Sequence, residues 1–477
     1  MNTTARNQPE PLDTKKFNPE EVFQAGLLNH HIANTAYPIA HVLTTKPYRI
    51  WNTHKNEFVK HIRDWIDEVW LYAHVPFCER ICNFCEYTVV DPKQYHNANT
   101  HDVYFDALRK EFEMYATQTE LQWKKLSGFD IGWWTPSVVD QKYIWQLVDL
   151  AHKHFTVPEN MSISIETTPK IAAGFWDKIK AYHDMWINRI SMGVQDISPK
   201  VLESVWRTVT SLDRNKQATD NIRTAWFDSF NIDIMYGLVN QNVERVKATL
   251  AHVIDLDPEH ITIYRTRYKG TKMQDKWYLL ELQNIQEQYQ LIKAMLKEAW
   301  YNAWMGKNTF SRVPWSSGAS EYLTNRVVKW TPYVWMWLGA QSYNIKSLYY
   351  NQWAWSKKIH NYLQYINEKQ KFPLQDIYHL SKEMSAWKFA SVSFYFGWID
   401  LASFQEHFDC TIEEMFSKEV QFLTSNWYMQ YEDGRLQLTE LGNQYYNWVI
   451  SMFYAWSVKQ VLLDRVYQLH HENAQVC

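Results

Sequence analysis

Short runs of apolar, β-branched or aromatic residues recur along the middle of the chain, and stretches of helical periodicity separate them. Such runs, bounded by turn residues, predict β-strands, and their alternation with helices predicts parallel connections. Strands are predicted at residues 69–77, 129–134, 162–167, 189–195, 230–238 and 260–267. Helices are predicted at residues 103–117, 139–154, 171–183, 199–209 and 242–255. The pattern predicts an α/β fold in the form of a partial (β/α)6 barrel.

The two ends of the chain differ from this middle part. Five prolines interrupt the first 65 residues, which we interpret as an N-terminal arm. In the last hundred residues, helices are predicted at 401–408, 412–424 and 441–466 around a hairpin at 429–439, as in a helical, winged-helix-like module. The predicted division is an arm at 1–65, a barrel at 66–305, a connector at 306–375 and a C-terminal module at 376–477.

Charge and hydropathy narrow the classes of function. The chain has 49 basic and 52 acidic residues, a balance that argues against a nucleic-acid partner. No apolar run reaches 18 residues, and the polar N-terminus lacks a hydrophobic signal core, so neither a membrane span nor a secretory signal is predicted. The five cysteines do not make a disulfide framework. We expect a cytoplasmic, monomeric protein with no nucleic-acid or membrane partner.

The strongest chemical signal is a group of three cysteines directly after the first predicted strand. Cys78, Cys82 and Cys85 form the pattern C-x3-C-x2-C. Thiolates are the ligands of iron–sulfur clusters, and three of them leave one iron of a [4Fe–4S] cluster open. Zinc is the competing metal, although a structural zinc site takes four ligands and no fourth Cys or paired His follows at a suitable spacing. The remaining alternative is three ordinary buried thiols.

Together with the aromatic residue before its third cysteine, this motif resembles the signature of the radical S-adenosylmethionine (SAM) family. The sequence YAHVPFC at 72–78 resembles the oxygen-independent coproporphyrinogen III oxidase-like branch of that family. Further segments resemble the branch in order: IGWWTPS at 131–137, SIETTP at 164–169, NRISMGVQD at 188–196, NIDIMYGL at 231–238, HITIYRTRYKGT at 260–271 and LQLTELG at 436–442. The resemblance therefore extends far beyond the cysteines.

The resemblance implies a radical SAM barrel with a [4Fe–4S] cluster on Cys78, Cys82 and Cys85. In that chemistry one electron from the cluster cleaves SAM to methionine and a 5′-deoxyadenosyl radical, which abstracts a hydrogen from the substrate. The implied substrate is a small molecule of the tetrapyrrole type. The implied partner is an electron donor such as flavodoxin or ferredoxin.

The resemblance also implies two groups of SAM-binding residues. The group expected around one SAM molecule consists of Tyr72, Phe84, Gly132, Trp133, Trp134, Thr135 and Glu166. The group expected around a second SAM molecule consists of Gln195, Arg207 and Asp233. A carboxylate suits the ammonium or ribose hydroxyls of SAM, and a guanidinium suits its carboxylate. No residue is assigned to substrate chemistry.

Two departures from the branch leave the reaction open. The coproporphyrinogen oxidases continue with a further cysteine as C-x-C, whereas Glu86 and Tyr87 follow the third cysteine here. The heme chaperones of the branch carry HNxxYW, and the nearest segment here, TNRVVKW at 324–330, lacks the histidine. Class C methyltransferases and cyclopropanases of natural-product biosynthesis share the present cysteine pattern. The alternatives are an oxidase-like enzyme, a methyltransferase or cyclopropanase, and a heme chaperone or inactive scaffold.

Glycine is scarce, with 13 residues against 25 tryptophans. Glycine usually serves a positive φ or a close approach of the backbone to a ligand. Other residues stand where the branch usually has glycine, namely Trp133, Trp134, Trp186, Asn240, Trp335 and Trp337. Either the sequence is an altered one on a family scaffold, or it is a divergent member.

Overall fold

One eleven-stranded sheet organises the computed structural model, which describes residues 17–26, 44, 46–50, 54–61, 66–85, 98–119, 121–132, 135–268, 271–279, 281–303, 308–313, 321–337, 339–351 and 359–474. Its strands are β1 (Glu68–His74), β2 (Lys125–Gly132), β3 (Ser162–Thr167), β4 (Arg189–Gln195), β5 (Ser229–Tyr236), β6 (His260–Arg265), β7 (Thr309–Ser311), β8 (Tyr333–Met336), β9 (Gln341–Asn344), β10 (Ser347–Asn351) and β11 (Leu374–His379). A smaller sheet contains β12 (Trp398–Asp400), β13 (Met429–Glu432) and β14 (Arg435–Leu438).

Helices alternate with the first six strands and then dominate the C-terminal part. They are α1 (Pro19–Ala25), α2 (Lys55–His61), α3 (Ala98–Gln118), α4 (Gln141–His154), α5 (Pro169–Gly174), α6 (Trp176–Asp184), α7 (Pro199–Ser204), α8 (Leu212–Thr224), α9 (Val243–Asp255), α10 (Leu282–Glu298), α11 (Glu321–Val327), α12 (Ile359–Lys369), α13 (Lys382–Ser393), α14 (Leu401–Phe408), α15 (Ile412–Met415), α16 (Ser417–Ser425), α17 (Glu440–Gln444), α18 (Tyr446–Met452) and α19 (Trp456–Ala474).

The strand order of the large sheet is β11-β10-β9-β8-β1-β2-β3-β4-β5-β6-β7. Strands β1 to β6 are parallel and lie in chain order, which confirms the predicted partial (β/α)6 architecture. Since the carboxyl ends of parallel strands meet at one end of a barrel, the segments that follow these strands share one face of the molecule.

Side chains on the central strands alternate between two environments. On β3, Ile163 and Ile165 are buried in the main apolar cluster, which also contains Leu147 of α4 and Ala172 of α5. The residues between them on β3 are only half-buried, and the same alternation runs along β4. Because successive strand residues point to opposite faces, the apolar set packs under the helices and a more polar set faces the interior of the barrel.

The residues predicted as a connector extend the large sheet. Strand β8 pairs in parallel with β1, with Tyr72 opposite Trp335, and the antiparallel strands β9, β10 and β11 continue from it. Aromatic side chains fill the space between β8 and the C-terminal module, including Trp330 stacked on Phe389 at 5.3 Å. The sheet is therefore wider than the sequence predicts on the β1 side.

Three predicted helices are interrupted in the structure. The predicted helix at 412–424 divides at Phe416 into α15 and α16. The predicted helix at 171–183 divides at Phe175, whose φ of −136° lies outside the helical region, into α5 and α6. The predicted helix at 441–466 divides into α17, α18 and α19. Helices α8 and α13 lie where none was predicted.

The predicted hairpin in the C-terminal part is confirmed. Strands β13 and β14 pair through Asp433 and Gly434, whose φ values of 50° and 72° suit a two-residue turn with left-handed residues. A buried ion pair, Lys459 Nζ to Glu419 Oε1 at 2.5 Å, joins α19 to α16. Helix α1 from the arm packs on this module, where Phe23 stacks on Tyr428 at 4.6 Å.

Single-residue bridges lie beside both outermost strands of the large sheet. Arg49 pairs with Tyr378 of β11, and the N–H of Ile50 donates to the Ile377 carbonyl at 2.8 Å. On the other side, Asn302 pairs with Ser311 of β7 through hydrogen bonds of 2.7 and 2.9 Å. Each bridge occupies part of the free side of its strand.

Among the helices in the described residues, none is both long and apolar enough to cross a membrane.

Tryptophan occupies left-handed backbone positions at several helix ends. The positive-φ residues of the described chain include eight tryptophans, namely Trp123, Trp186, Trp206, Trp226, Trp300, Trp330, Trp337 and Trp427. After α6, for example, the Trp186 N–H donates to His183 O at 2.9 Å and the Ile187 N–H donates to Tyr182 O at 3.2 Å. This is a Schellman motif, in which glycine normally takes the left-handed position.

The six positions at which glycine was expected differ in backbone conformation. Trp186, Asn240 and Trp337 have φ values of 63°, 65° and 119°, as a glycine position would. Trp335 instead lies within β8. Trp133 and Trp134 lie outside the described residues.

Candidate functional site

The three cysteines lie in the loop that follows β1, at the carboxyl end of the barrel. Cys82 and Cys85 are buried and Cys78 is half-buried, and none of the three takes part in a disulfide bond. The N–H of Cys85 donates to the carbonyl of Cys82 at 3.2 Å, which closes a tight turn between these two residues. The sequence places the thiols here because the buried strand β1 ends at His74, shortly before the first of them.

Three successive residues attach this cysteine loop to the segment around the end of α7. The guanidinium Nη1 of Arg207 lies 3.9 Å from Cys82 Sγ, and the Asn83 N–H donates to the Val205 carbonyl at 2.8 Å. Phe84 packs on the apolar cluster of Val201 and Val205. Its predicted contact with SAM stays a prediction.

Two further contacts hold the first part of the loop. Cys78 Sγ lies 3.6 Å from the Thr135 hydroxyl, at the end of β2, and Glu79 forms a 2.8 Å ion pair with Lys170 of α5. Thr135 is itself buried. The loop is therefore fastened to the segments that follow β2, β3 and β4.

The donor set of the loop is that of an iron–sulfur site, three thiols without an added histidine or carboxylate. In the described parts of the chain, no three His, Cys, Asp or Glu side chains converge as the ligands of a single metal ion would. Burial raises the pKa of the Cys82 thiol, and the Arg207 charge opposes that rise. The environment of Cys82 thus includes a cation suited to a thiolate.

Three members of the first predicted SAM group, Tyr72, Gly132 and Glu166, lie together at the ends of β1, β2 and β3. A Cβ atom on Gly132 would lie 2.7 Å from Glu166 Oε1 and 2.8 Å from the Tyr72 hydroxyl. Only glycine therefore lets these two polar side chains approach the end of β2. Trp335 lies on the other side of Tyr72, with ring centroids 5.1 Å apart.

The second predicted SAM group comes together where β4 ends. The Arg207 guanidinium donates to the Gly193 carbonyl, and a Cβ on Gly193 would lie 2.9 Å from Gln195 Nε2 and 3.2 Å from Arg207 Nη2. Gln195 has a φ of 69° beside an irregularity in the β4–β5 register. Its Oε1 is buried and has no hydrogen-bond partner among the described residues, so it can accept from a bound ligand.

Asp233 lies opposite Gly193 in the pairing of β4 with β5, and hydrogen bonds between these neighbouring strands hold its carboxylate. Asn231 donates to Asp233 Oδ1 at 2.8 Å and to the Ser191 hydroxyl at 2.7 Å, and Ser191 donates to Asp233 Oδ2 at 3.2 Å. Burial raises the pKa of Asp233 to about 6, against the opposing effect of these hydrogen bonds and of Arg189 and Arg207.

Sequence reasoning missed Ser191, Asn231 and Trp335 as residues of this interior. A signal for the first two was present, because Ser191 stands four positions before Gln195 on β4 and Asn231 stands two positions before Asp233 on β5. The signal for Trp335 was absent, since its place depends on the long-range pairing of β8 with β1.

Comparison with known proteins agrees with this geometry. The family model described as the Radical SAM superfamily matches residues 72–253. The chain is 29% identical to the heme chaperone HemW of Buchnera aphidicola over 195 residues, and 31% identical to the oxygen-independent coproporphyrinogen III oxidase of Escherichia coli over 206 residues. These alignments cover 41% and 42% of this chain and 50% and 42% of the relatives, so the chain spans about half the length of these curated relatives or less.

Two longer matches concern the whole architecture. The heme chaperone HemW of Lactococcus lactis is 22% identical over 390 residues, which cover 80% of this chain and 96% of that protein. The solved coproporphyrinogen III oxidase HemN of Escherichia coli superposes with a TM-score of 0.73 at 22% identity, over 89% of this chain and 97% of that one. It therefore shares the fold. The superfamily uses a [4Fe–4S] cluster and SAM, and residues 72–253 of this chain match its family model.

Proposed function

We propose that this protein is a radical SAM enzyme of the coproporphyrinogen III oxidase-like branch, acting on a small molecule of the tetrapyrrole type. The observation that carries the proposal is the three-cysteine loop at the carboxyl end of β1, fastened to the ends of β2, β3 and β4 beside two groups of polar residues. The family match over residues 72–253 supports it.

In this proposal Cys78, Cys82 and Cys85 hold the [4Fe–4S] cluster. When bound, the cluster supplies the electron that cleaves SAM reductively to a 5′-deoxyadenosyl radical. Glu166 and the Tyr72 hydroxyl orient one SAM molecule at the end of β2, which they can approach because Gly132 has no side chain.

The second group of residues would receive a second SAM molecule. Gln195 offers a buried acceptor without a partner, Arg207 offers a guanidinium for a carboxylate, and Asp233 offers a carboxylate for an ammonium. An electron donor such as flavodoxin or ferredoxin would complete the system. We place it in the cytoplasm, as a monomer, where reducing conditions keep the thiols free.

A heme chaperone is the second candidate function. The 22% identity to HemW of Lactococcus lactis extends over 390 residues and 96% of that protein, which is more than the barrel alone. The missing histidine of the HNxxYW motif speaks against this candidate. The methyltransferase or cyclopropanase alternative predicts different products of SAM. The product assay described next therefore tests it as well.

The test is anaerobic reconstitution with iron and sulfide, followed by SAM and a reductant. The proposal expects 5′-deoxyadenosine and methionine as the products of SAM. S-Adenosylhomocysteine in addition would favour the methyltransferase alternative. Stoichiometric heme binding without SAM cleavage would favour the chaperone, and zinc in place of iron would contradict both.

The state of Asp233 leads to a prediction about pH. Its pKa of about 6 means that the carboxyl group is protonated below pH 6 and ionised above it. If the ionised form pairs with the ammonium of SAM, affinity at this subsite should be about fourfold weaker at pH 5.5 than at pH 8. Calorimetry of SAM binding to the reconstituted protein measures this, and D233N should remove the pH dependence. An equal slope in the variant would assign the titration to another group.

A further inference from the structure

Arg207 faces two parts of the site at once. Its Nη2 donates to the Gly193 carbonyl at the end of β4, and its Nη1 lies 3.9 Å from Cys82 Sγ. Its charge also lowers the pKa of Asp233 against the effect of burial. One guanidinium therefore lies between a thiol of the cysteine loop and the residues grouped around Gln195.

The backbone around Arg207 fixes the direction of this guanidinium. At the end of α7 the Trp206 N–H donates to Glu203 O at 3.1 Å and the Arg207 N–H donates to Leu202 O at 2.9 Å, which is a Schellman motif. Arg207 is thus the first residue after the left-handed position. Its backbone is held by the helix end and its side chain by the Gly193 carbonyl, so its approach to Cys82 does not depend on a flexible surface side chain.

The cysteine loop is fixed to the same segment. The hydrogen bond from Asn83 to Val205, and the packing of Phe84 on the apolar cluster that contains Val205, involve the two residues that directly follow Cys82. Two rigid attachments on neighbouring residues keep the guanidinium and the sulfur at a constant separation. A contact of this kind persists when SAM is absent.

We propose that Arg207 acts on the iron–sulfur cluster itself, as a positioning residue that raises the reduction potential through Cys82. The inference rests on the proposed function, because it takes Cys82 as a cluster ligand. Hydrogen bonds and charges at the ligating sulfurs set the potential of such clusters. A cation beside the thiolate stabilises the reduced cluster, which carries one more negative charge than the oxidised cluster.

The consequence is a link between the two halves of the site. If a SAM molecule binds at the second subsite, its carboxylate pairs with Arg207. This pairing neutralises part of the positive charge that Arg207 places beside Cys82. Binding at that subsite would then lower the potential of the cluster without contacting any iron. Arg207 would in this way report occupancy of the second subsite to the redox centre.

The test is a redox titration of the reconstituted protein without SAM, in which the EPR signal of the reduced cluster is the readout. R207Q should shift the midpoint potential to more negative values, and R207K should shift it less, since lysine keeps the charge but not the fork. R189Q is the matched control, because Arg189 also faces the barrel interior but acts on Asp233 from the opposite end of β4.

The outcomes separate the inference from the proposed function. A potential in R207Q equal to that of the wild type, or a shift matched by R189Q, overturns the role of Arg207. If R207Q assembles no cluster, the midpoint potential of R207K is measured instead. A potential below the wild-type value supports the role of Arg207, and an unchanged potential overturns it. A wild-type protein that assembles no [4Fe–4S] cluster contradicts the proposed function instead.

Discussion

Each of the single substitutions Cys78→Ala, Cys82→Ala and Cys85→Ala should abolish the [4Fe–4S] cluster. Each thiolate would bind a separate iron, and exogenous SAM completes only the fourth, so no remaining residue of the loop replaces a lost ligand. Iron content after anaerobic reconstitution should fall from about four per chain to background, with loss of the broad visible absorbance. SAM cleavage should be lost in parallel.

Cys410→Ala provides the matched control for this experiment. Cys410 is a half-buried free thiol that packs on the C-terminal core, away from the cysteine loop. Its removal should leave iron content and SAM cleavage at the wild-type level. Retention of four irons in any of the three loop variants, or their loss in Cys410→Ala, would show that the ligands have been assigned wrongly.

Glycine at five helix ends should stabilise the protein substantially. Trp186, Trp206, Trp226, Trp300 and Trp427 each follow a helix with φ between 57° and 66°. A left-handed backbone costs a residue with a Cβ about 1–2 kcal/mol, which exceeds the extra entropy that glycine gives the unfolded chain, so each replacement should gain about 1 kcal/mol. On separate helices the gains should add to about 5 kcal/mol.

Removing these indoles costs little buried apolar contact, since their exposed fractions lie between 61% and 81%. Chemical denaturation of the five-fold variant measures the gain in the free energy of unfolding. W145G is the control: Trp145 is also exposed, but it lies inside α4, where glycine costs about 1 kcal/mol. Equal effects of the helix-end and mid-helix replacements would show that backbone conformation is not the cause.

Much of the barrel could be predicted because each strand is a local apolar run between polar turns. Strands β3 and β4 begin and end at the predicted residues. Helix α8 escaped prediction because it is mostly polar and buries only four residues, among them Asn215 and Thr219. Helix α13 escaped for the opposite reason: it is buried all round from 384 to 393, so no polar face marks its period.

The candidate site likewise has a part that could be predicted from the sequence and a part that could not. The cysteine loop, Glu166, Gln195 and Asp233 could be located from motifs at strand ends, where topology alone brings them together. The contact of Arg207 with Cys82 could not, because it depends on the Schellman motif after α7 and on the docking of Asn83. The place of Trp335 beside Tyr72 depends on a strand pairing between residues more than 250 positions apart.

The bridges at Arg49 and Asn302 bear on how the edges of a wide, unclosed sheet are protected from pairing with other chains. An open sheet exposes unpaired backbone groups on its two edge strands, which can recruit strands from other molecules and so promote aggregation. Here Arg49 and Ile50 engage the outer edge of β11, and Asn302 engages that of β7. The arm thus contributes to colloidal protection of the sheet, a role quite separate from any part in catalysis.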